Sequence, residues 1–441
     1  KALAEASGEA VWEDRAFAAL AHMIEAVREQ VSGAGHSASE ASVTRARAYW
    51  RARVYWRAPS GHRAVRVRAA ARIDLGGGWT DTPPYSLERG GTVLNAAITL
   101  RGQHPILAEA VPLPDDKLVL ESLDIGAVVE LKTVGELLTY ANPADPFALH
   151  KAALVLRGLA PRDLDPALPV SDLMRRLGGG LKLSTQTLIP RGSGLGTSSI
   201  MAGAVLVCLG GADVLSADVL SADVLSAGYG GAIVGVDTPQ DELFDEVLCL
   251  EQMLTTGGGW QDQVGGLVGG IKLVSSGPGL PQKIRVEPVH LAPETRVELA
   301  NRLLLVYTGR QRLAKNLLRA VMGRWMARDP EMVWIQQEIA RLAVEMKRAL
   351  QAGEVSRLGE LLAEHWDLNQ RMDPGCTNPF INGLFATMRP YINGGKLAGA
   401  GGGGYAIVIA RDAQAVRDLS AALATRYMGT PVEIWTVGVS D

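Results

Sequence analysis

Three scarcities in this sequence of 441 residues each exclude a class of protein: few cysteines, little net charge and no long apolar run. The three cysteines are an odd number and lie far apart, which excludes a disulfide framework and favours reduced thiols. A formal net charge of −3 and a pI near 6.2 argue against a nucleic-acid-binding protein. No apolar run is long enough to span a membrane, and no signal-peptide pattern opens the chain. We therefore expect a cytoplasmic protein without a nucleic-acid or membrane partner.

The residues that are abundant indicate a globular protein of mixed secondary structure. The 47% of hydrophobic residues suffice for a sizeable core, and the length favours two or three domains. Since the chain begins at Lys1 rather than Met, we expect a fragment of a longer polypeptide. Apolar spacing predicts helices at 11–31, 39–56, 242–254, 331–350, 355–369 and 413–427, and strands at 62–73, 303–307, 405–410 and 432–439. The first two helices form a lead-in, and the last strands and helix predict a small open-faced sheet.

Two segments have a biased composition. Residues 45–72 are rich in Arg and aromatic side chains, which is typical of a nucleic-acid platform or of an Arg-rich helix face followed by a strand. The second interpretation is favoured because acidic residues elsewhere offset the local charge. Residues 212–226 repeat Ala-Asp-Val-Leu-Ser three times, too few copies for a solenoid core, and are interpreted as an expanded helix end or a surface loop.

The most informative motif is the glycine-rich stretch Pro190–Ser199, which follows a strand at 181–189 and leads into a buried helix at 200–209. Glycine allows positive φ and a close approach of the backbone to a ligand. The free N–H groups of the following helix favour an anion, most plausibly phosphate. The spacing excludes a Walker loop, because no Lys follows Gly196, and also excludes the dinucleotide fingerprint. The alternative is a glycine-rich turn with an ordinary helix cap.

A second motif, Arg72–Asp81, ends a strand in three glycines followed by Trp79, Thr80 and Asp81. An aromatic face beside a carboxylate suits a sugar, because the ring covers C–H groups while the carboxylate accepts from hydroxyls. A tight turn with an Asx cap is the alternative.

A third motif, residues 255–266, places Asp262 between glycine-rich flanks, where it is a candidate base. Eleven residues earlier Glu251 lies late in a predicted helix. Its carboxylate is a candidate ligand for Mg²⁺, which prefers oxygen donors. The alternative for Glu251 is a solvated helix face.

A fourth motif, residues 394–405, is a glycine-rich loop that precedes a strand. Its glycines imply close backbone packing, either on a nucleotide or on another loop.

The order of these motifs resembles that of the GHMP kinases, the superfamily of galactokinase, homoserine kinase, mevalonate kinase and phosphomevalonate kinase. The phosphate loop of that family, Pro-x-x-x-Gly-Leu-Gly-Ser-Ser, is similar to Pro190–Ser198, with Thr197 in place of the first Ser, and its third motif is similar to Lys396–Gly404. Within the superfamily the chain looks most like the kinase portion of the L-fucokinases, on the strings at 77–84, 192–199, 254–266, 305–309 and 397–404. The resemblance runs from about Arg68 to the C-terminus.

The resemblance implies an α+β class with the GHMP kinase fold. A helical lead-in (1–61) would precede an N-terminal ATP-binding domain like ribosomal protein S5 (62–290) and a C-terminal ferredoxin-like domain (291–441). A nucleotidyltransferase portion usually precedes the kinase in L-fucokinases, so the chain would be either a cut fragment or a free-standing relative.

The resemblance also implies an activity, the transfer of phosphate from ATP to the anomeric hydroxyl of L-fucose. Asp262 and Arg72 would be catalytic, Ser198 and Glu251 would hold Mg²⁺, and Asp81 with Trp79 would bind the sugar. The residues implied to bind ATP are Arg191, Gly192, Ser193, Gly194, Leu195, Gly196, Thr197, Ser198, Ser199, Gly401 and Gly402. Two alternatives stay open: a kinase for another sugar, such as a heptose phosphate or galactose, and a sugar sensor without turnover.

Overall fold

The computed structural model describes residues 64–160, 164–190, 192–210, 240–254, 257–279, 282–310 and 315–440. The helices expected at 11–31 and 39–56, the repeat at 212–226 and Arg191 lie outside these residues. In the described part, no helix combines the length and the apolar character needed to cross a lipid bilayer.

Within the described residues the strands form three sheets. In chain order they are β1 Val65–Ala69, β2 Ala71–Gly76, β3 Thr92–Leu100, β4 Ile106–Leu113, β5 Leu118–Ser122, β6 Ala127–Leu131, β7 Gly180–Thr187, β8 Ile271–Ser276, β9 Ile284–Pro288, β10 Leu303–Tyr307, β11 Ile392–Leu397, β12 Tyr405–Ala410, β13 Glu433–Trp435 and β14 Val437–Val439. The first sheet has the order β1-β4-β7-β5-β6, and the third has the order β11-β12-β10-β13. In the second sheet β3 pairs with β2, β8 and β14, and β9 pairs with β8.

Helices cover the sheets. They are α1 Tyr85–Arg89, α2 Val134–Leu137, α3 Ala148–Leu156, α4 Val170–Arg176, α5 Thr197–Gly210, α6 Gln240–Met253, α7 Gln261–Leu267, α8 Pro293–Arg302, α9 Lys315–Met326, α10 Pro330–Gln351, α11 Val355–Met372, α12 Pro379–Met388 and α13 Ala413–Arg426. Single 3₁₀ turns lie at Leu138–Ala141, Pro374–Cys376 and Arg389–Tyr391. The mixed composition confirms the predicted α+β class.

The sequence pattern accounts for the main elements. In β4 buried and half-buried residues alternate, as expected for a strand with one face on the core. All six residues of β12 are buried, because it lies between β10 and β11 and is covered on both faces. Helix α10 begins after Asp329, whose carboxylate accepts from the backbone N–H groups of Glu331 and Met332. Its apolar residues recur every three or four positions and pack against β2 and β3.

Two strand predictions were wrong in their extent. The segment 62–73 is not one strand, because the chain leaves the first sheet after β1 and enters the second sheet with β2. Burial changes at the same point, from alternating in β1 to complete in β2. Likewise the segment 432–439 splits at Thr436, where β13 in the third sheet gives way to β14 in the second. The domain division at 290/291 stays a prediction.

Candidate active site

The phosphate-loop motif connects β7 to the N-terminus of α5. Gly192, Gly194 and Gly196 have φ values of 69°, 76° and 75°, in the left-handed region that glycine adopts at little cost. The Thr197 hydroxyl oxygen is buried at the start of the helix and has no hydrogen-bond partner in the part of the chain described. A helix N-terminus with an unpaired hydroxyl beside it can accept an anionic group.

The fourth motif packs directly on this loop. A Cβ atom built on Gly194 would lie 2.5 Å from the Ala398 carbonyl oxygen, and one built on Gly404 would lie 2.2 Å from the Ser193 carbonyl oxygen. Of the two roles considered for these glycines, packing of one loop on another is therefore present. Gly404 is held in place because its carbonyl oxygen accepts from both the N–H and the hydroxyl of Thr308.

Arg72 joins the phosphate loop to Asp262. Its Nε and Nη2 donate to Asp262 Oδ1 at 2.9 and 2.6 Å, and its Nη1 donates to the Gly194 carbonyl oxygen at 2.8 Å. The Arg72 side chain is 3% exposed, whereas that of Asp262 is 30% exposed. Burial acts to lower the pKa of Arg72, but the charges of Asp262 and Asp74 outweigh it and hold this pKa above its usual value. The structure thus brings together the two residues that the sequence predicts to be catalytic.

Asp262, which the sequence places between glycine-rich flanks, lies in the first turn of the helix α7. Glycine disfavours a helix, but here its small size permits close packing. A Cβ atom on Gly265 would lie 2.9 Å from Arg72 Cβ, and one on Gly266 would lie 2.3 Å from Ile200 Cδ1. The buried ammonium of Lys272 donates to the carbonyl oxygens of Gly265, Val268 and Gly270 at the end of the helix.

Glu251 reaches the first turn of α5 through Ser199. The Ser199 hydroxyl donates to Glu251 Oε1 at 2.8 Å, and both residues are nearly buried, at 6% and 4% exposure. Ser198, the predicted ligand, is exposed on the same turn. The family resemblance implied that Ser199 binds ATP, whereas its hydrogen bond to Glu251 was not predicted from the sequence.

The predicted sugar-binding residues are less accessible than expected. Trp79 is 9% exposed and Asp81 is 0% exposed. Asp81 Oδ2 accepts from the backbone N–H of Gln261 at 3.1 Å, while Asp81 Oδ1 is buried without a hydrogen-bond partner among the described residues. Burial, and then the nearby charge of Asp262, raise the pKa of Asp81 to about 7. Asp81 therefore supports the N-terminus of α7, and its contact with a sugar stays a prediction.

Three further residues at the site have no role in the sequence analysis. Lys396 Nζ donates to Asp74 Oδ2 at 2.7 Å, with the side chains 0% and 3% exposed. Burial acts to raise the pKa of Asp74, but the nearby positive groups, Lys396 first among them, together outweigh it and hold this pKa below its usual value. His365 Nε2 accepts from the Gly77 N–H at 3.2 Å. Burial lowers the pKa of His365 to about 3, so its imidazole is neutral. Asp74 and Lys396 lie within two of the motifs, but nothing in the sequence shows that they meet.

Comparison with known proteins identifies the family. Residues 346–428, which include the fourth motif, match the family described as "GHMP kinases C terminal". The chain is 37% identical over 357 residues to a bifunctional fucokinase/GDP-fucose pyrophosphorylase of Arabidopsis thaliana, and 37% identical over 354 residues to an L-fucokinase/L-fucose-1-P guanylyltransferase of Bacteroides fragilis. Residues 346–428 therefore contain the C-terminal domain of the GHMP kinases. These matches cover 81% and 79% of this chain, which spans about a third of the length of the two relatives (31% and 35%).

Solved structures show the GHMP kinase fold independently. The mevalonate kinase of Methanococcus jannaschii superposes with a TM-score of 0.59 at 16% identity, over 87% of this chain and 100% of that chain. The predicted fold class is thus confirmed.

Proposed function

We propose that this GHMP kinase transfers the γ-phosphoryl group of ATP to the anomeric hydroxyl of L-fucose, giving L-fucose 1-phosphate and ADP. The observation that carries the proposal is the Arg72 guanidinium, which contacts the Asp262 carboxylate and the phosphate loop at Gly194 at once. A base is thereby held beside the loop suited to ATP phosphates. The names of the two relatives at 37% identity, which both include fucokinase, support L-fucose as the acceptor.

In this proposal the side chains position the reactants and neutralise charge, on which phosphoryl transfer mainly depends. The phosphates of ATP lie on residues 192–199 at the N-terminus of α5. Asp262 accepts the proton of the C1 hydroxyl of the sugar. The oxygen of that hydroxyl bonds to the γ-phosphorus, and the bond from this phosphorus to the ADP oxygen breaks. Arg72 orients Asp262 and offsets negative charge at the phosphates. The 30% exposure of Asp262 supports access of a substrate to this carboxylate.

The residues near the loop fit a magnesium ion. Mg²⁺ is usually bound by one or two carboxylates, by substrate phosphates and by water. The exposed Ser198 and the carboxylate of Glu251 would hold it, with Ser199 fixing one oxygen of Glu251. When bound, the ion neutralises charge on the phosphates of ATP. The described residues contain no group of three or more His, Cys, Asp or Glu that could hold a metal, so phosphate and water oxygens would complete the coordination.

Recognition of the sugar is assigned to the turn Gly77–Asp81. An apolar ring such as Trp79 suits the methyl group of a 6-deoxy sugar, where galactose has a hydroxyl. Asp81 would contribute indirectly, because its carboxylate holds the backbone N–H of Gln261, the residue before Asp262.

A panel of sugars with ATP, read by release of ADP, tests the proposal. We expect L-fucose to have the highest kcat/KM and D-arabinose, which lacks only the methyl group, to be weaker by roughly 10- to 200-fold. D-Galactose and D-glycero-D-manno-heptose 7-phosphate should rank lower. The Asp262→Asn variant, purified in parallel, reports any contaminating kinase. A heptose phosphate or galactose in first place would overturn the fucose assignment, and turnover of no sugar would overturn the kinase assignment.

A further inference from the structure

The buried ion pair between Lys396 and Asp74 lies at a junction of the site. Asp74 is two residues after Arg72 on β2, so both side chains leave the same face of the strand. Lys396 is the penultimate residue of β11, and the part of the fourth motif that comes after it packs on Gly194. Charges therefore alternate from β11 through β2 to α7, in the order Lys396, Asp74, Arg72, Asp262.

We propose that Lys396 is a positioning residue for the reaction: it occupies the Asp74 carboxylate, so that the Arg72 guanidinium stays on Asp262 and Gly194. This inference rests on the kinase function proposed above. Lys396 contacts neither Asp262 nor the phosphate loop through its ammonium in the described hydrogen bonds, and it acts through Asp74 and Arg72.

Competition between two carboxylates for one guanidinium is the physical basis. The Arg72 nitrogens are already engaged, since Nε and Nη2 donate to Asp262 and Nη1 donates to Gly194. Asp74 Oδ1 is buried and accepts no hydrogen bond from the described residues. Without Lys396, Asp74 would be an uncompensated buried charge beside Arg72, and such a charge is strongly disfavoured until it finds a partner. The Arg72 guanidinium already attracts Asp74, and its shift toward Asp74 would release Asp262.

A purely structural role is the alternative, because loss of any buried ion pair destabilises a protein. The pair between Lys151 and Asp145 offers a matched control. Its nitrogen and oxygen are 2.6 Å apart, and the side chains are 8% and 13% exposed. It joins α3 to the loop that precedes it, in a segment without a role in the proposed reaction.

The test compares wild type with Lys396→Met, Asp74→Asn, the double variant Asp74→Asn/Lys396→Met and the control Lys151→Met. For each protein, kcat and the KM values for ATP and L-fucose are measured below its melting temperature. We expect Lys396→Met to lower kcat at least tenfold with little change in either KM. The double variant should recover most of the wild-type kcat, because no competing charge remains. Lys151→Met should lower the melting temperature and leave kcat within about twofold.

Each outcome bears on the proposal. A wild-type kcat in Lys396→Met, or a double variant as slow as Lys396→Met, would overturn the positioning role while leaving the proposed kinase function intact. If Lys396→Met does not fold, the double variant decides alone, and a tenfold loss of kcat in it would refute the proposal. A wild-type protein that phosphorylates no sugar would instead remove the proposed function, and the inference with it.

Discussion

At the scale of single residues, Asp262 and Arg72 differ in accessibility although they form one ion pair. Arg72 is enclosed by β2, α7 and the phosphate loop, while Asp262 remains 30% exposed at the helix start. A buried cation thus fixes the orientation of a carboxylate that a substrate can reach. A buried arginine paired with a partly exposed carboxylate fits a positioned acid–base group better than a purely structural ion pair.

We expect Asp262→Asn to lower kcat by roughly 10²- to 10⁴-fold, the usual contribution of a positioned acid–base group. Binding of ATP should persist, because the phosphate loop is unchanged. Steady-state kinetics and calorimetric titration with ATP measure the two effects. Glu109→Gln is the control, since Glu109 pairs with Arg66 at 2.7 Å on the surface of the first sheet. Near-normal turnover in the Asp262→Asn variant would show that Asp262 is not the base.

His365 gives a prediction about pH and stability. Its pKa is about 3 in the folded protein, against 6.5 in an unfolded chain. Between these values only the unfolded state takes up the proton, so the free energy of unfolding falls as the pH is lowered, by up to roughly 1.4 kcal/mol per pH unit. His365→Gln, which keeps an acceptor for the Gly77 N–H, should remove this contribution.

Denaturant titrations at a series of pH values measure this difference. The stability of wild type relative to His365→Gln should decline as the pH falls below 6.5. The exposed His290 provides the control substitution, His290→Gln, whose stability curve should run parallel to that of wild type. Parallel curves for His365→Gln as well would mean that the buried imidazole does not exclude the proton.

At the scale of elements, the sequence correctly predicted the helices and strands that have a strong periodic or continuous apolar pattern. Strands β10 and β12 begin and end where predicted, and α10 and α13 agree to within one residue at each end. These segments have apolar residues that only one element type can bury, so their pattern is sufficient evidence. The motifs also named Arg72 and Asp262, which form an ion pair in the structure.

The remainder depended on contacts that a local pattern does not contain. Helix α7 contains Gly265 and Gly266 although glycine disfavours a helix. Glycine is needed at these positions because Arg72 and Ile200 occupy the space that a side chain would fill. The pairing of Lys396 with Asp74 joins residues 322 positions apart. Neither fact is visible without knowing which strands are neighbours.

The packing of the fourth motif on the phosphate loop predicts the effect of Gly404→Ala. The new methyl group would meet the Ser193 carbonyl oxygen at 2.2 Å, so the loops must separate. We expect the KM for ATP to rise roughly tenfold or more, because displacement of a positioning group by about 1 Å is costly. Gly429→Ala is the control, since Gly429 has φ 76°, against 77° for Gly404, with nothing within 4 Å of the added atom. Equal kinetic effects in the two variants would count against the packing role.

At the scale of the whole molecule, the C-terminal strand β14 returns to the sheet that carries Arg72. Arg72 faces Ala97 in the register of β2 and β3, and the Ala97 carbonyl oxygen accepts from the Ser440 N–H at 2.9 Å. The Ser440 carbonyl oxygen in turn accepts from the Gly270 N–H at 2.6 Å, next to β8. The C-terminal strand therefore stabilises the strand opposite Arg72, although most of the chain separates the two in sequence.

Removal of residues 437–441 should consequently reduce both stability and turnover. The truncation exposes one edge of β3 and removes the hydrogen bond from the Gly270 N–H, and a typical hydrogen bond contributes about 0.5–1.5 kcal/mol. Thermal unfolding should show a lower midpoint, and kcat measured well below that midpoint should also fall, because β3 supports β2 at Arg72. Deletion of Asp441 alone, which keeps β14 and Ser440, serves as the control. If the longer truncation lowers the midpoint but leaves kcat unchanged, β14 contributes to stability alone, and the orientation of Arg72 is set by α7 and the phosphate loop without help from the C-terminal strand.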